Sequence, residues 1–248
     1  DFVACSIEDV ISDVDEVAVV LPPIENKTIF PFPRLESTSD RDRRYEIFYY
    51  LIEQTGIKEG SSFVVLTDSI HSYFCGEIVN NLLFYKYPTS MIFVRDHSVD
   101  EIRNLINKLS PDCLLIGINS MLDYNWEIPY IFTVNQFTHP RTPLKSNTPP
   151  DPSQEGRLDG STLERGSRGV IHFNIYAISE IGWIAIGTSD GSYIYPEDYF
   201  YIETDPADDI LVLTTLANDL QPFIRYKTSD RAKILDGNCF QITYIGEH

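Results

Sequence analysis

The hydrophobic period of this chain changes part-way along, and that change limits its fold more than any other feature. Up to Val134 short apolar runs alternate with amphipathic stretches of helix length, whereas beyond Val170 only short apolar runs remain. Residues 62–66 (SFVVL), 90–94 (SMIFV), 113–118 (CLLIGI) and 128–134 read as buried strands. Between the first two, Ile70, Phe74, Ile78 and Leu82 recur at four-residue spacing within residues 69–85. Before the third, Ser98 is placed to cap a helix with Asp100 and Glu101 in its first turn, where acids meet the positive end of the helix dipole. Ile102, Leu105, Ile106 and Leu109 then predict its buried face. Strands alternating with helices predict right-handed βαβ units and a parallel sheet. Strands that are apolar on both faces fit that reading, because helices cover both sides.

Other segments fill in the organisation. Residues 17–21 (VAVVL) read as a short strand ended by Pro22 and Pro23, and the charged residues 36–44 lead into helical spacing over residues 45–52. Gly56 stands where a helix C-cap falls. From Pro140 to Arg168 the text is rich in Pro, Ser, Thr, Gly and charge, which predicts a long loop. Strands follow at residues 170–175, 183–186, 199–203, 210–215, 223–226, 232–235 and 240–245. The expected organisation is an α/β subdomain over residues 1–138, a flexible Pro/Gly/Ser-rich loop over 139–169 and a β-rich subdomain over 170–248.

Composition bounds the partners. Among 248 residues, 37 acids outnumber 19 Lys and Arg, giving a net charge of −18. Such a field disfavours non-specific nucleic acid and anionic membrane surfaces. No apolar run is long enough to span a bilayer. Cys5, Cys75, Cys113 and Cys239 lie far apart in apolar contexts, which predicts structural thiols in a reducing compartment, the cytoplasm. The histidines show no metal spacing, His172 reads as a strand histidine, and Lys145 reads as a solvated loop lysine. A local basic pocket within so acidic a chain is still allowed.

Three segments differ from ordinary strand and turn text: residues 176–182 (YAISEIG), residues 197–203 (EDYFYIE), and residues 210–216 (ILVLTTL) followed by 222–230 (PFIRYKTSD). Each alone reads as a turn or an edge strand. Their order and spacing resemble the adenylate-forming (ANL) superfamily, in particular its phenylacetate–CoA ligase-like branch. That branch carries a Tyr-Gly-x-Ser/Thr-Glu segment, an acidic strand, a Leu-Thr-Thr-Leu strand and Pro-x-Ile-Arg-Tyr-x-Thr-Gly-Asp. The resemblance covers roughly residues 170–248, with a weaker match over 58–117. It implies an ANL-type N-terminal core, an α/β fold whose parallel βαβ half is followed by a β-rich half.

The resemblance also implies a chemistry. In such enzymes a carboxylate attacks the α-phosphate of ATP to give an acyl-adenylate, and CoA, a carrier-protein thiol or an amine displaces AMP. By that likeness Tyr176 would lie against adenine and Ser179 would contact the α-phosphate. Glu180 would hold Mg²⁺ and serve as the catalytic carboxylate, since a hard cation prefers carboxylate oxygen. Asp230 would accept the ribose hydroxyls, with Arg225 and Tyr226 shaping the strand beneath. Ser37, Thr38 and Ser39 stand at the phosphate-loop position. The implied partners are a carboxylic acid and CoA or an acyl-carrier protein, with a homodimer open as the assembly.

The chain departs from the family's pattern in four places. Residues 36–44 lack glycine, so a backbone nest for phosphate is not expected there, and Asp40 and Asp42 would repel a triphosphate. Ala177 and Ser229 replace glycines of the motifs. The chain stops at His248, about where the family's hinge leads to a small domain holding a catalytic lysine, so an N-terminal core cut at that hinge is the expectation. Two functions follow: an ATP-dependent acid ligase, or a catalytically inactive ANL-like binding or scaffolding protein.

Overall fold

The apolar runs become strands of one large sheet. The computed structural model describes residues 17–20, 34–68, 73–122, 124–134, 170–178, 180–188 and 190–246. Strands β1 (Val17–Val20) and β2 (Arg34–Ser37) form a two-stranded antiparallel sheet, and helix α1 (Thr38–Glu53) follows directly. Then come β3 (Phe63–Thr67), α2 (Tyr73–Phe84), β4 (Thr89–Phe93), α3 (Val99–Leu109), β5 (Cys113–Ile116) and β6 (Tyr130–Val134). The remaining strands are β7 (Ile171–Ile178), β8 (Gly182–Gly187), β9 (Tyr193–Ile194), β10 (Phe200–Thr204), β11 (Ile210–Thr215), β12 (Tyr226–Ile234) and β13 (Cys239–Tyr244).

Strands β3 to β13 form an 11-stranded sheet in the order β10-β11-β12-β13-β9-β8-β7-β6-β5-β3-β4. Every pairing from β4 to β7 is parallel and every pairing from β7 to β10 is antiparallel. The period-2 pattern explains how the parallel half is covered. Phe63 and Val65 of β3 pack with Ile78 and Leu82 of α2, while Val64 and Leu66 pack with Ile102 and Ile106 of α3 on the other face. The chain therefore lays α2 on one face and α3 on the other. It steps from β3 outward to β4 and then back across to β5, which makes the carboxyl ends of β3 and β5 a topological switch point.

The two halves are not separate sheets. Strand β7 pairs β6 in parallel register, Tyr130 opposite Ile171 and Val134 opposite Ile175. One apolar cluster runs from Phe63 and Leu115 of the parallel half to Trp183, Leu213 and Phe240 of the antiparallel half. Helix α1 packs against β8 and closes this cluster with Ile47, Phe48, Leu51 and Ile52.

Several local expectations change. Helix α1 starts at Thr38, inside the charged stretch, because Ser37 and Asp40 form a capping box. Residues 223–226 and 232–235, read as two strands, belong to a chain path with one nine-residue strand, β12. Strands β2 and β9 carry no apolar run of their own and were not expected. In α3, Ile102 and Ile106 are buried, but Leu105 is half-buried and Leu109 is 47% exposed beside Ser110, whose φ of 44° ends the helix. Tyr49 and Tyr50 are half-buried, not core. Tyr49 stacks on Tyr85 with centroids 4.3 Å apart, and the Tyr50 hydroxyl accepts from the Asn238 amide at 3.0 Å. Gly56 does take up a left-handed φ of 69° just past α1, as its place after the helical run predicted.

Candidate functional site

The motif residues lie at the carboxyl edge of the parallel strands. Strand β7 runs alongside β6 and ends at Ile178, so Tyr176 and Glu180 sit where open α/β sheets place their ligands. Asp230 lies on β12, four strand spacings away in pairing order, which is roughly 19 Å across a flat sheet. Yet the Tyr176 hydroxyl donates to Asp230 Oδ2 at 2.5 Å. The antiparallel half therefore curls until β7 and β12 face each other across its interior. Both strands are irregular here. The β7–β8 register shifts between Tyr176 and Ala177, and the β12–β13 register shifts between Arg231 and Ala232. Such bulges bend strands and re-aim side chains.

The interior holds four of the predicted residues together. Asp230 is 2% exposed and Tyr176 is 3% exposed. Burial, then the charge and hydrogen bond of Asp230, hold the Tyr176 phenol well above its usual range, with Thr228 acting in the opposite direction. Tyr226 is pushed up to about 12, first by burial and then by the charge and hydrogen bond of Glu180. Tyr176, Glu180, Tyr226 and Asp230 are thus linked, a phenol from β7 and a carboxylate from the turn after it meeting a phenol and a carboxylate from β12. The half-buried Glu180 forms the open end of this cluster.

Two further residues support it and escaped the motif reading. The Thr228 hydroxyl donates to Leu211 O at 3.0 Å and accepts from Asp230 N at 3.0 Å, which fixes the strand twist beneath the carboxylate. Gly246 N donates to Asp230 Oδ1 at 3.0 Å from beyond β13. Thr228 sits two residues before Asp230 on the same face, so strand periodicity carries a signal for it. Nothing local announces Gly246.

The Tyr176 ring packs against Tyr193 and Phe240, with centroids 5.9 and 5.7 Å away. Other expected residues do not join this cluster. Arg225 has a left-handed φ of 53° and turns to Glu203 at 3.3 Å, and its charge also acts on Asp205. Ser179, Lys145, His71 and His139 lie outside the described residues. His172 is exposed on β7. Cys113 and Cys239 are free thiols, and burial pushes Cys113 up to about 12, which fits a structural role.

Ser37, Thr38 and Ser39 lie at the start of α1. Ser37 is the N-cap of α1 and Thr38 and Ser39 open its first turn. The anion position at this helix end is filled by the chain itself. Asp40 accepts from Ser37 N at 3.0 Å, Ser37 Oγ at 2.8 Å, Asp219 N at 2.7 Å and Leu220 N at 3.4 Å. Burial opposes the charge of Asp40, but these donors outweigh it and lower its pKa.

The donors suit a metal carried by a ligand better than a resident one. Among the described residues no group of three or more His, Cys, Asp or Glu could hold a metal ion. Mg²⁺ is commonly held by one or two carboxylates together with substrate phosphates and waters, and a lone, half-buried Glu180 fits that mode.

Solved structures share this architecture. A crystal structure of 2-hydroxyisobutyryl-CoA ligase in an open conformation, in complex with 2-HIB-AMP and CoA, aligns with a TM-score of 0.62 at 13% identity, covering 93% of this chain and 52% of that one. O-succinylbenzoate coenzyme A synthetase from Bacillus subtilis, in complex with AMP, aligns with a TM-score of 0.60 at 13% identity, covering 94% of this chain and 62% of that one. The same synthetase with ATP and magnesium ion aligns with a TM-score of 0.55 at 13% identity, over 85% and 46% of the two chains. This chain has an ANL-type N-terminal core fold. It spans between about half and three-fifths of the length of these ligases. No protein-family model matches the sequence, and no curated protein sequence matches it. No helix among the described residues is long and apolar enough to cross a membrane.

Proposed function

We propose that the chain is the nucleotide-binding core of an adenylate-forming acid ligase, which activates a carboxylic acid with ATP and passes the acyl group to CoA, a carrier-protein thiol or an amine. The observation that carries the reading is the convergence of Tyr176, Glu180, Tyr226 and Asp230 at the carboxyl edge of an ANL-type sheet, with Tyr176 and Asp230 54 residues apart in the chain. Glu180 would hold the Mg²⁺ that accompanies ATP phosphates, which supplies the cation an acidic chain lacks. Tyr226 would orient Glu180 through their hydrogen bond. Asp230, with two acceptor oxygens, would take the two vicinal ribose hydroxyls. Tyr176 would hold Asp230 in place from beneath, in contact with the adenosine end. Ser179 and the phenylacetate–CoA ligase-like branch belong to the same proposal, and so do a cytoplasmic setting and a homodimer.

The test incubates the full-length protein with ATP, Mg²⁺ and a panel of carboxylic acids, with and without CoA, and measures AMP and pyrophosphate. Acid-dependent pyrophosphate release is expected, and Glu180→Gln is expected to reduce it by about 10²-fold or more, as for loss of one transition-state electrostatic partner. No turnover with any acid and no ATP binding by calorimetry would sink the reading.

One observation favours a second reading. Asp40 fills the α1 end where the phosphate loop was expected. That suits a relative which keeps the fold for binding or scaffolding without phosphoryl chemistry. Nucleotide binding without pyrophosphate release from any acid would select it.

A further inference from the structure

Asp230 is buried by contacts of two different kinds. Tyr176 reaches Oδ2 from inside the apolar core, at 3% exposure. Gly246 reaches Oδ1 from the half-buried segment that leaves β13. The approach of that segment is close enough to require glycine. A Cβ on Gly246 would stand 2.3 Å from Ser229 O and 2.5 Å from Ser229 Cβ, well inside van der Waals contact. The φ of Gly246 is not left-handed, so conformational freedom is not what this position needs. It needs the absence of a side chain so that its N–H can reach a buried carboxylate.

From this geometry we infer that residues 245–246 compete with the nucleotide for Asp230: the Gly246 N–H occupies Oδ1 in the closed arrangement, and a ribose hydroxyl takes its place when the segment lifts. The inference rests on the reading of Asp230 as the ribose acceptor and adds the regulation of that site. Its chemical logic is substitution of one donor for another. A buried carboxylate left short of donors carries a desolvation penalty, so the closed segment stabilises the empty protein and a diol stabilises the open one. Of the two described partners, Gly246 is the one that can move. Tyr176 is packed between Tyr193 and Phe240 and is 3% exposed, while Gly246 is half-buried and stands two residues past β13. Nucleotide occupancy and the position of residues 245–246 are then linked, and each shifts the other by the same factor.

The experiment uses the full chain and AMP as the probe. Calorimetry compares the wild type, Gly246→Ala, Asp230→Ala and the double variant, with circular dichroism to check folding. Gly246→Ala keeps the backbone conformation accessible but pushes the segment off Ser229, so AMP is expected to bind about tenfold tighter, the effect of one weakened charge-assisted hydrogen bond. Asp230→Ala should remove the gain. Unchanged or weaker AMP binding in Gly246→Ala, with Asp230→Ala still weakening the wild type, overturns the inference and leaves the nucleotide reading standing. AMP binding by none of the four overturns both. Should Gly246→Ala fold poorly, hydrogen exchange of the wild type decides. The Gly246 amide should exchange faster when AMP is bound, and slower or unchanged exchange overturns the inference.

Discussion

Three carboxylates are buried among the described residues, Asp40, Glu77 and Asp230, and each is held by donors from a distant part of the chain. Asp40 takes backbone N–H groups of Asp219 and Leu220, and Asp230 takes the Tyr176 hydroxyl and the Gly246 N–H. Such groups are costly to leave unpaired, so they tie their elements together with a direction that apolar contact lacks. Asp40 gives a pH test. Its folded pKa lies below the ordinary value, so its contribution is present above the unfolded pKa and is lost as pH falls through the folded one. Asp40→Asn is expected to destabilise by about 1–3 kcal/mol near neutral pH. That difference should shrink below about pH 4, where the unfolded aspartate is already protonated. Thermal midpoints of the two proteins across pH 2 to 7 check both the sign and the window; a difference that grows in acid contradicts it.

Helices α1 and α2 are joined by the ion pair of Arg44 with Glu77, whose side chains are 9% and 5% exposed. The Asn81 amide, one turn on, donates to Glu77 O at 2.9 Å. Desolvation weakens the net value of such a pair, but removing one partner strands a buried charge. Glu77→Ala is expected to cost about 3–5 kcal/mol, while the joint replacement Arg44→Met with Glu77→Leu should fall near the wild type or above it. Urea titrations of the single and double variants distinguish this from a simple packing loss, in which the double variant would be the worse. The helix starts also show what was legible. Ser98 with Glu101 was readable as a cap and is a capping box in the fold. Ser37 with Asp40 is the same device, yet it was hidden in a charged run with no apolar residue to mark the first turn. An S-x-x-D spacing ahead of Tyr45 is the signal that could have found it.

The 11-stranded sheet and the cluster beneath α1 span both the parallel and the antiparallel strands. The sequence has two tryptophans, and they fall usefully. Trp126 lies in the cluster under α3, and Trp183 lies in the cluster shared by both halves. Fluorescence of Trp126→Phe and Trp183→Phe, each reporting the other tryptophan, is expected to give coincident urea midpoints after correction for the stability change of each variant. Midpoints that stay apart would mean that the halves unfold separately.

Local order was legible because it depends on neighbours in the chain. Short apolar runs mark β3, β5 and β11 and period 3.6 marks α3, and an apolar run buried on both faces needs helices on both sides. The switch from alternating elements to strands alone marked the parallel and antiparallel halves. The site depended on the curl of the antiparallel half, which accumulates from strand twist and from bulges at Tyr176 and Arg231 that no residue pattern announces. That curl sets Tyr176 against Asp230. It also lets Gly246 reach back to a carboxylate 16 residues earlier, and the loop before β12 reach Asp40. A chain can specify its own periods residue by residue, but which donor meets which buried acceptor is settled only when the sheet has closed.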